Sequence, residues 1–394
     1  MDFELDQKTH ILVIAGSRAY GIHNPDSDVD LKGVAIPPTR YYLGGFSRFE
    51  QADKPEHFKT FEHLLPPDLL KVVSGSKVEG SVYEFHKFVT LAADCNPNIL
   101  DTVFGRDEDV LLMTAIGKRI REHRELFLSL KAKHTFSGYA MAQLKRIKGH
   151  RNWLLHPPKQ APVRADFGLP ENTLIPSDHL AAITAAVQKK LDEWTPSLAS
   201  LSVSDRVAIQ GGIQTFLEDF CAGLPEGLVQ DEDKVVGATW LAAARTVGVN
   251  DNLVWILQKE REWTAAQRGW SQYQNWLKSR NPDRAELEAK YKYDTKHGAH
   301  LVRLMRMGQE IITKGKVHVW RGPGGGEDAE EIREIRKGSW DYEKLVTWAE
   351  DQDAHLTRLY LDPTKSVVPK APDRKALEAF AVEVIDRALK EERS

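Results

Sequence analysis

The fold is decided by residues 11–36, Ile11-Leu-Val-Ile-Ala-Gly-Ser-Arg-Ala-Tyr-Gly-Ile-His-Asn-Pro-Asp-Ser-Asp-Val-Asp-Leu-Lys-Gly-Val-Ala-Ile36. The apolar run from Ile11 to Ala15 predicts a buried strand, because bulky aliphatic side chains follow one another without a polar break. The Gly16-Ser17 step after it predicts a sharp turn whose bare backbone N–H groups can bind a phosphate. Leu31 to Ile36 predicts a second strand, which Pro37-Pro38 ends.

Two aspartates, Asp28 and Asp30, lie where this second strand begins. Alternate residues of an extended segment point to the same face, so the two carboxylates lie roughly 7 Å apart on one side. Two hard oxygen ligands on one face suit a Mg²⁺ that also keeps waters and substrate phosphates. The alternative is a loop in which residues 24–28 only form a turn. The combination of strand, Gly-Ser, ten further residues and Asp-x-Asp favours a metal and phosphate site.

This combination resembles the signature of the nucleotidyltransferases related to DNA polymerase β. Gly16 to Gly21, followed by Pro25 to Asp30, is similar to the predicted RNA-repair-associated nucleotidyltransferases called RlaP. Residues 83–88 and 96–101 also resemble the RlaP pattern, although Asp101 stands where the family more often has Glu. The resemblance covers residues 10–104 well, residues 136–156 and 293–345 moderately, and the interior helices weakly.

The composition limits the kind of protein. A length of 394 residues allows two or three domains, and 41% hydrophobic residues indicate a globular chain. The formal net charge of −3 shows no overall basicity, so any nucleic-acid surface must be local. Cys95 and Cys221 form neither a disulfide framework nor a zinc motif. The acidic start and the lack of an apolar run of about 18 residues predict a cytoplasmic protein without a membrane segment.

A third carboxylate is expected from a third strand, residues 77–83, because the resemblance implies a site with three acids. Glu79 is the candidate for this ligand. Glu84 competes with it, but Glu84 lies five residues further on, hence on the other face, where a helix beginning at residue 84 would favour an N-terminal acid. A purely structural role for both residues is the remaining alternative.

Two basic stretches are candidates for binding anions. In residues 136–155, a predicted helix carries Lys145, Arg146, Lys148, His150 and Arg151, with no acid between Thr135 and Arg164. This pattern is compatible with RNA phosphate contacts or with an ordinary solvated helix face. In residues 293–305, the side chains of Lys296, His300 and Arg303 share one helix face, which predicts contacts with the charges of a triphosphate. The alternative is a basic face offset by Asp294 and Glu310.

The predicted fold class is α+β, with an N-terminal polymerase β-like mixed sheet and flanking helices in residues 1–125. Residues 126–394 are predicted to form a helical domain that completes the nucleotide and acceptor cleft. Within it, helices are expected to begin at Ser177, at Ser204 or Asp205, and at Asp231, and residues 316–320 are expected to form a short strand.

The predicted reaction transfers a nucleoside monophosphate from an NTP, with ATP favoured, to an acceptor hydroxyl. Asp28, Asp30 and Glu79 are expected to hold Mg²⁺ or Mn²⁺, and Gly16, Ser17, Lys296, His300 and Arg303 are expected to bind the nucleotide. Lys145, Arg146, Lys148 and Arg151 are the predicted RNA contacts, for an acceptor that is an RNA end, plausibly of tRNA. The alternatives are AMP transfer to a protein side chain, as in antitoxin-type nucleotidyltransferases, and a non-catalytic RNA- or nucleotide-binding module.

Overall fold

The structure is a computed structural model. It describes residues 2–25, 27–73, 78–173, 176–194, 251–280 and 282–393. Cys221 and the helices predicted to begin at Ser204 or Asp205 and at Asp231 lie outside these residues.

A five-stranded mixed sheet organises the N-terminal part, in the order β3-β4-β2-β1-β5. Its strands are β1 (Thr9–Ala15), β2 (Val29–Ala35), β3 (Gln51–Ala52), β4 (Val78–Glu84) and β5 (Val110–Met113). β2 pairs with β1 in antiparallel and with β4 in parallel orientation. The α+β prediction with a mixed N-terminal sheet is therefore confirmed.

Helices account for most of the remaining described residues. They are α1 (Leu5–Lys8), α2 (Gly16–Ala19), α3 (Thr39–Leu43), α4 (Pro55–Phe58), α5 (Pro67–Val73), α6 (Phe85–Ala93), α7 (Pro97–Phe104), α8 (Ala115–Glu122), α9 (Lys131–Leu155), α10 (Ser177–Trp194), α11 (Asp251–Ser279), α12 (Pro282–Tyr291), α13 (Thr295–Lys314), α14 (Ala329–Arg336), α15 (Tyr342–Leu361) and α16 (Arg374–Arg393). The strand predicted at residues 316–320 is absent, and that segment is irregular. None of the helices within the described ranges is long and apolar enough to span a membrane.

Both faces of the sheet are buried. Ile11 and Val13 of β1 belong to a large core that includes α6 to α9 and α13, whereas Leu12 and Ile14 belong to a smaller core on the opposite face. This alternation follows from the two-residue period of a strand. It also explains why β1 is an unbroken apolar run, since a strand covered on both faces has no solvent side.

The contacts divide the chain into two compact units. One unit contains residues 1–156 and 281–394, and the other contains residues 157–280. The boundary predicted at residue 125 separates a catalytic part from the rest by function, and it stays a prediction. In the first unit, α13 packs along α9, so helices far apart in the sequence share one core with the sheet.

Candidate active site

All the residues predicted to bind metal or nucleotide line one cleft of about 1040 Å³, which lies within the first unit. They are Gly16, Ser17, Asp28, Asp30, Glu79, Lys296, His300 and Arg303. Gly16, Ser17 and the acids lie at or next to the ends of β1, β2 and β4. Lys296, His300 and Arg303 lie on α13.

Strand register places the carboxylates. Asp30 on β2 pairs with Ala15, the last residue of β1, and on its other side with Glu79 of β4. Residues that are paired across neighbouring strands point to the same face of the sheet, so the side chains of Glu79 and Asp30 are neighbours. Burial raises the pKa of Asp30, and the Glu79 and Asp28 carboxylates raise it further, against Lys32 and Lys296.

The donor set fits a divalent cation. Asp28, Asp30 and Glu79 offer only carboxylate oxygens, the ligands that Mg²⁺ prefers. Their mutual repulsion, seen in the raised pKa of Asp30, is what a bound cation would offset. Gly16 permits this arrangement because a Cβ at its position would overlap the Asp30 carboxylate, and because its φ of +64° favours glycine.

Glu84 has a different environment. It is buried, and as the N-cap of α6 its side chain accepts a hydrogen bond from the Lys87 amide at 3.0 Å. The Tyr42 hydroxyl donates to its other oxygen at 2.6 Å. Its register partner is Ala35, and it does not line the cleft. The structure therefore separates the two candidates for the third acid, and the metal role of Glu79 stays a prediction.

Arg18 is a residue that sequence reasoning missed. Its guanidinium donates to the backbone carbonyl groups of Pro25 at 3.3 Å, Ser27 at 2.7 Å and Asp28 at 3.3 Å. These contacts hold the loop that carries Asp28. The only sequence signal was a cation directly after the Gly-Ser step, which does not reveal backbone acceptors seven to ten residues away.

Asp101 forms a second polar group beside the cleft. It is buried, accepts a hydrogen bond from the Tyr20 hydroxyl and pairs with the Lys32 ammonium at 3.2 Å. Lys32 lies two residues after Asp30, on the same face of β2. Asp101 therefore connects the motif of residues 96–101 with the Gly-Ser-Arg-Ala-Tyr motif and with strand β2.

The opposite wall of the cleft is α13, which is capped by Asp294. Arg303 is only 1% exposed and lies 3.6 Å from the centroid of the Tyr20 ring. Its guanidinium donates to His300 Nδ1 at 3.0 Å. Burial, and then the Arg303 charge, lower the pKa of His300 to about 2. The sequence places three cation-capable groups on this helix face, but His300 is neutral, so only Lys296 and Arg303 bring positive charge.

Arg303 has an unusual environment for a buried guanidinium. None of the carboxylates in the part of the chain that the structure describes forms an ion pair with it, and its Nε has no hydrogen-bond partner there. Buried charges are ordinarily paired. An anionic ligand in the cleft is a natural partner for such a group.

The basic residues of α9 do not line the cleft. Lys148 pairs with Glu350 at 3.3 Å, and Arg151 pairs with Glu343 at 3.5 Å and lies over the Tyr342 ring. Arg146 contacts the His297 ring at 3.2 Å. Lys145 is exposed and forms no ion pair within the described ranges. The acids that the local sequence lacks are thus supplied by α15.

Comparisons with known proteins agree with the motifs. Residues 4–154 match the family model described as RlaP, RNA repair pathway DNA polymerase beta family. A protein of Enterobacteria phage T4, named as an uncharacterized 38.9 kDa protein in the nrdC-mobD intergenic region, is 28% identical over 148 residues. The match covers 36% of this chain and 40% of the phage protein, so the chain spans about two-fifths of that relative's length. No solved structure matches. Residues 4–154 are thus similar to the RlaP family of polymerase β-type, nucleotidyltransferase-like proteins, which confirms the resemblance in the Gly-Ser and Asp-x-Asp motifs.

Proposed function

We propose that this protein is a metal-dependent nucleotidyltransferase that moves a nucleoside monophosphate from an NTP, with ATP favoured, to a hydroxyl group at an RNA end such as that of a tRNA. The observation that carries the proposal is the single cleft in which a Gly-Ser turn, two carboxylates on one sheet face, the loop carboxylate of Asp28 and a basic helix meet. The RNA repair context of the family supports an RNA acceptor.

The reaction forms a bond between the acceptor oxygen and the α-phosphorus and breaks the bond to the pyrophosphate oxygen. Asp28, Asp30 and Glu79 would hold Mg²⁺ or Mn²⁺, whose charge lowers the pKa of the attacking hydroxyl and stabilises the leaving oxygens. Asp30 or Glu79, whichever lies nearer to the acceptor, takes the hydroxyl proton.

The remaining residues of the cleft bind and orient the triphosphate. Gly16 and Ser17 offer backbone N–H groups and a hydroxyl to it. Lys296 and Arg303 add positive charge, and the neutral His300 orients Arg303 through its Nδ1. Such charge aimed at phosphate oxygens stabilises the transition state of phosphoryl transfer.

One observation favours a protein acceptor as the second candidate. Lys148 and Arg151 of α9 already have acidic partners on α15, so fewer of these side chains are available to RNA phosphates. AMP transfer to a protein hydroxyl would use the same cleft and the same metal ligands.

The proposal is tested by incubating the protein with Mg²⁺ and each labelled NTP, together with total RNA or with cell lysate. We expect label on RNA, and we expect Asp28→Asn and Asp30→Asn to lower the rate by more than tenfold without loss of helical circular dichroism. Asp68→Asn, an exposed acid on α5, is the matched control and should leave the rate unchanged. Label on protein alone would favour the second candidate. Transfer that survives in both aspartate variants would contradict the metal assignment.

A further inference from the structure

Three potential metal ligands meet away from the Asp28, Asp30 and Glu79 carboxylates. His150 lies on α9, Glu288 on α12, and Asp294 is the N-cap of α13. One ligand atom of each residue lies within 4.8 Å of the ligand atoms of the other two. We infer that His150, Glu288 and Asp294 form a second metal site, for a divalent transition-metal ion such as Zn²⁺.

Burial and charge support this inference. Glu288 is 3% exposed and Asp294 is 4% exposed, so two carboxylates are held together away from water. Two acids held this close together repel each other when both are ionised, and a bound cation reduces that repulsion. A divalent ion at this point neutralises both charges and uses the imidazole as a third ligand.

Neighbouring residues restrain two of the proposed ligands. The His297 ring and backbone amide both contact the Asp294 carboxylate, at 2.5 Å and 3.0 Å. The His150 ring stacks with Trp153 at a centroid distance of 5.4 Å. Hydrogen bonds to a ligating carboxylate and packing of a ligating imidazole are typical of the groups that surround a bound metal.

The donor set also indicates the class of ion. An imidazole nitrogen with two carboxylates suits Zn²⁺ and related transition metals, whereas the all-oxygen set of Asp28, Asp30 and Glu79 suits Mg²⁺. Glu288 and Asp294 line the cleft as well, which gives an ion a route to the site from solvent. The two sites therefore differ in metal preference although they border one cleft.

The position of the ligands gives the site a structural consequence. His150 lies near the point where the chain leaves the first unit, after residue 156, and Glu288 lies near the point where it returns, at residue 281. An ion bound to both would join α9, α12 and the start of α13. Binding to the folded state alone would stabilise that state.

The test uses the full chain carrying Asp28→Asn and Asp30→Asn, so that the carboxylate site no longer contributes. Zn²⁺ binding is measured by equilibrium dialysis, and Co²⁺ binding by visible absorption. We expect one ion per chain and a higher midpoint of thermal unfolding with Zn²⁺. His150→Ala in this background should weaken binding at least tenfold and remove the thermal shift. His156→Ala, an exposed histidine just after α9, is the matched control and should change neither.

Absence of binding in the double variant, or unchanged binding after His150→Ala, would overturn the inference. If His150→Ala fails to fold, X-ray absorption of Zn²⁺ bound to the double variant decides, because the site predicts one imidazole nitrogen among the ligands. An all-oxygen ligand set would overturn the inference as well. None of these measurements depends on transfer activity.

Discussion

Glu79 and Glu84 lie on one strand, yet their side chains have different surroundings. Glu79 is exposed at the cleft beside Asp30, whereas Glu84 is buried on the other face and caps α6. The five-residue separation decides this, because an odd number of steps along a strand reverses the face. The same side-chain type therefore serves as a candidate metal ligand at one position and as a helix cap at the other.

We predict opposite effects of Glu79→Gln and Glu84→Gln. Glu79→Gln should lower transfer by more than tenfold with little change in stability, because it removes one ligand charge from a solvent-exposed position. Glu84→Gln should lower the free energy of unfolding by about 1 kcal/mol through a weaker cap and keep most of the transfer rate. Urea denaturation and the labelled-NTP assay measure the two effects. A large loss of transfer at Glu84 with none at Glu79 would contradict the assignment.

For single residues, the sequence predicted those positions whose orientation depends only on strand geometry. The opposite faces of Glu79 and Glu84 on β4 follow from a period of two residues and need no knowledge of the fold. The contact of Lys32 with Asp101 joins residues 69 positions apart, so no local pattern contains it. The neutral state of His300 was missed for a related reason, since burial of its ring depends on tertiary packing.

Among the elements, α13 combines a packed face and a chemical face. Leu301, Val302, Leu304 and Met305 are buried in the main core, and Arg303 packs on the ring of Tyr20, which belongs to the same core. The sequence predicted this helix, and Lys296, His300 and Arg303 line the cleft from it, while their role in binding a nucleotide stays a prediction. It did not predict the depth of Arg303, because the helix is more deeply buried than an amphipathic surface helix.

We predict that His300 makes stability sensitive to acid. In the unfolded chain an imidazole takes up a proton below about pH 6.5, whereas folded His300 does so only near pH 2. Between pH 2 and pH 6.5 the chain therefore takes up a proton at His300 when it unfolds. The free energy of unfolding falls as the pH falls through this range. Between pH 7 and pH 5, the wild type should lose about 2 kcal/mol more than His300→Asn does.

Urea denaturation at pH 7, 6 and 5 measures this difference. Burial also lowers the pKa of His10. Because His10 is present in both proteins, its contribution to the pH dependence cancels in the comparison. Parallel losses in the two proteins would show that His300 is protonated in the folded chain.

We predict that the exposed lysines of α9 contact RNA. Replacing Lys145 and Lys148 with Gln should reduce the slope of log affinity against log salt by about 1.4, at about 0.7 for each phosphate on a single strand. NTP affinity should be unchanged, because neither side chain lines the cleft. Filter binding over a salt series gives the slope. Lys131→Gln, at the other end of α9, is the control. An unchanged slope would favour the protein acceptor.

In the whole molecule, the first unit is built from two separate parts of the sequence. Residues 1–156 supply the sheet and α9, and residues 281–394 supply α13 and the last helices. Apolar periodicity revealed the individual helices, but it contains no information on which distant helices share a core. The pairing of α9 with α13 was for that reason beyond sequence reasoning.

We predict that residues 1–125 do not fold on their own. Ile11 and Val13 share their core with Leu301 and Met305 of α13, so this fragment exposes to water the apolar surface that α9 and α13 cover in the full chain. Thermal unfolding followed by circular dichroism should show no cooperative transition. Mixing residues 1–156 with residues 281–394 should restore one. A cooperative transition for residues 1–125 alone would confirm the functional boundary as a folding boundary.

The split arrangement of the first unit also affects how the chain leaves the ribosome. Lys296 and the apolar face of α13 emerge only after residues 157–280 have been translated, a delay of roughly 6 to 25 seconds at about 5 to 20 residues per second. During this time the sheet and α9 have been synthesised, while their packing partner has not. The nascent chain therefore exposes the apolar surface that α13 later covers well before the cleft is complete.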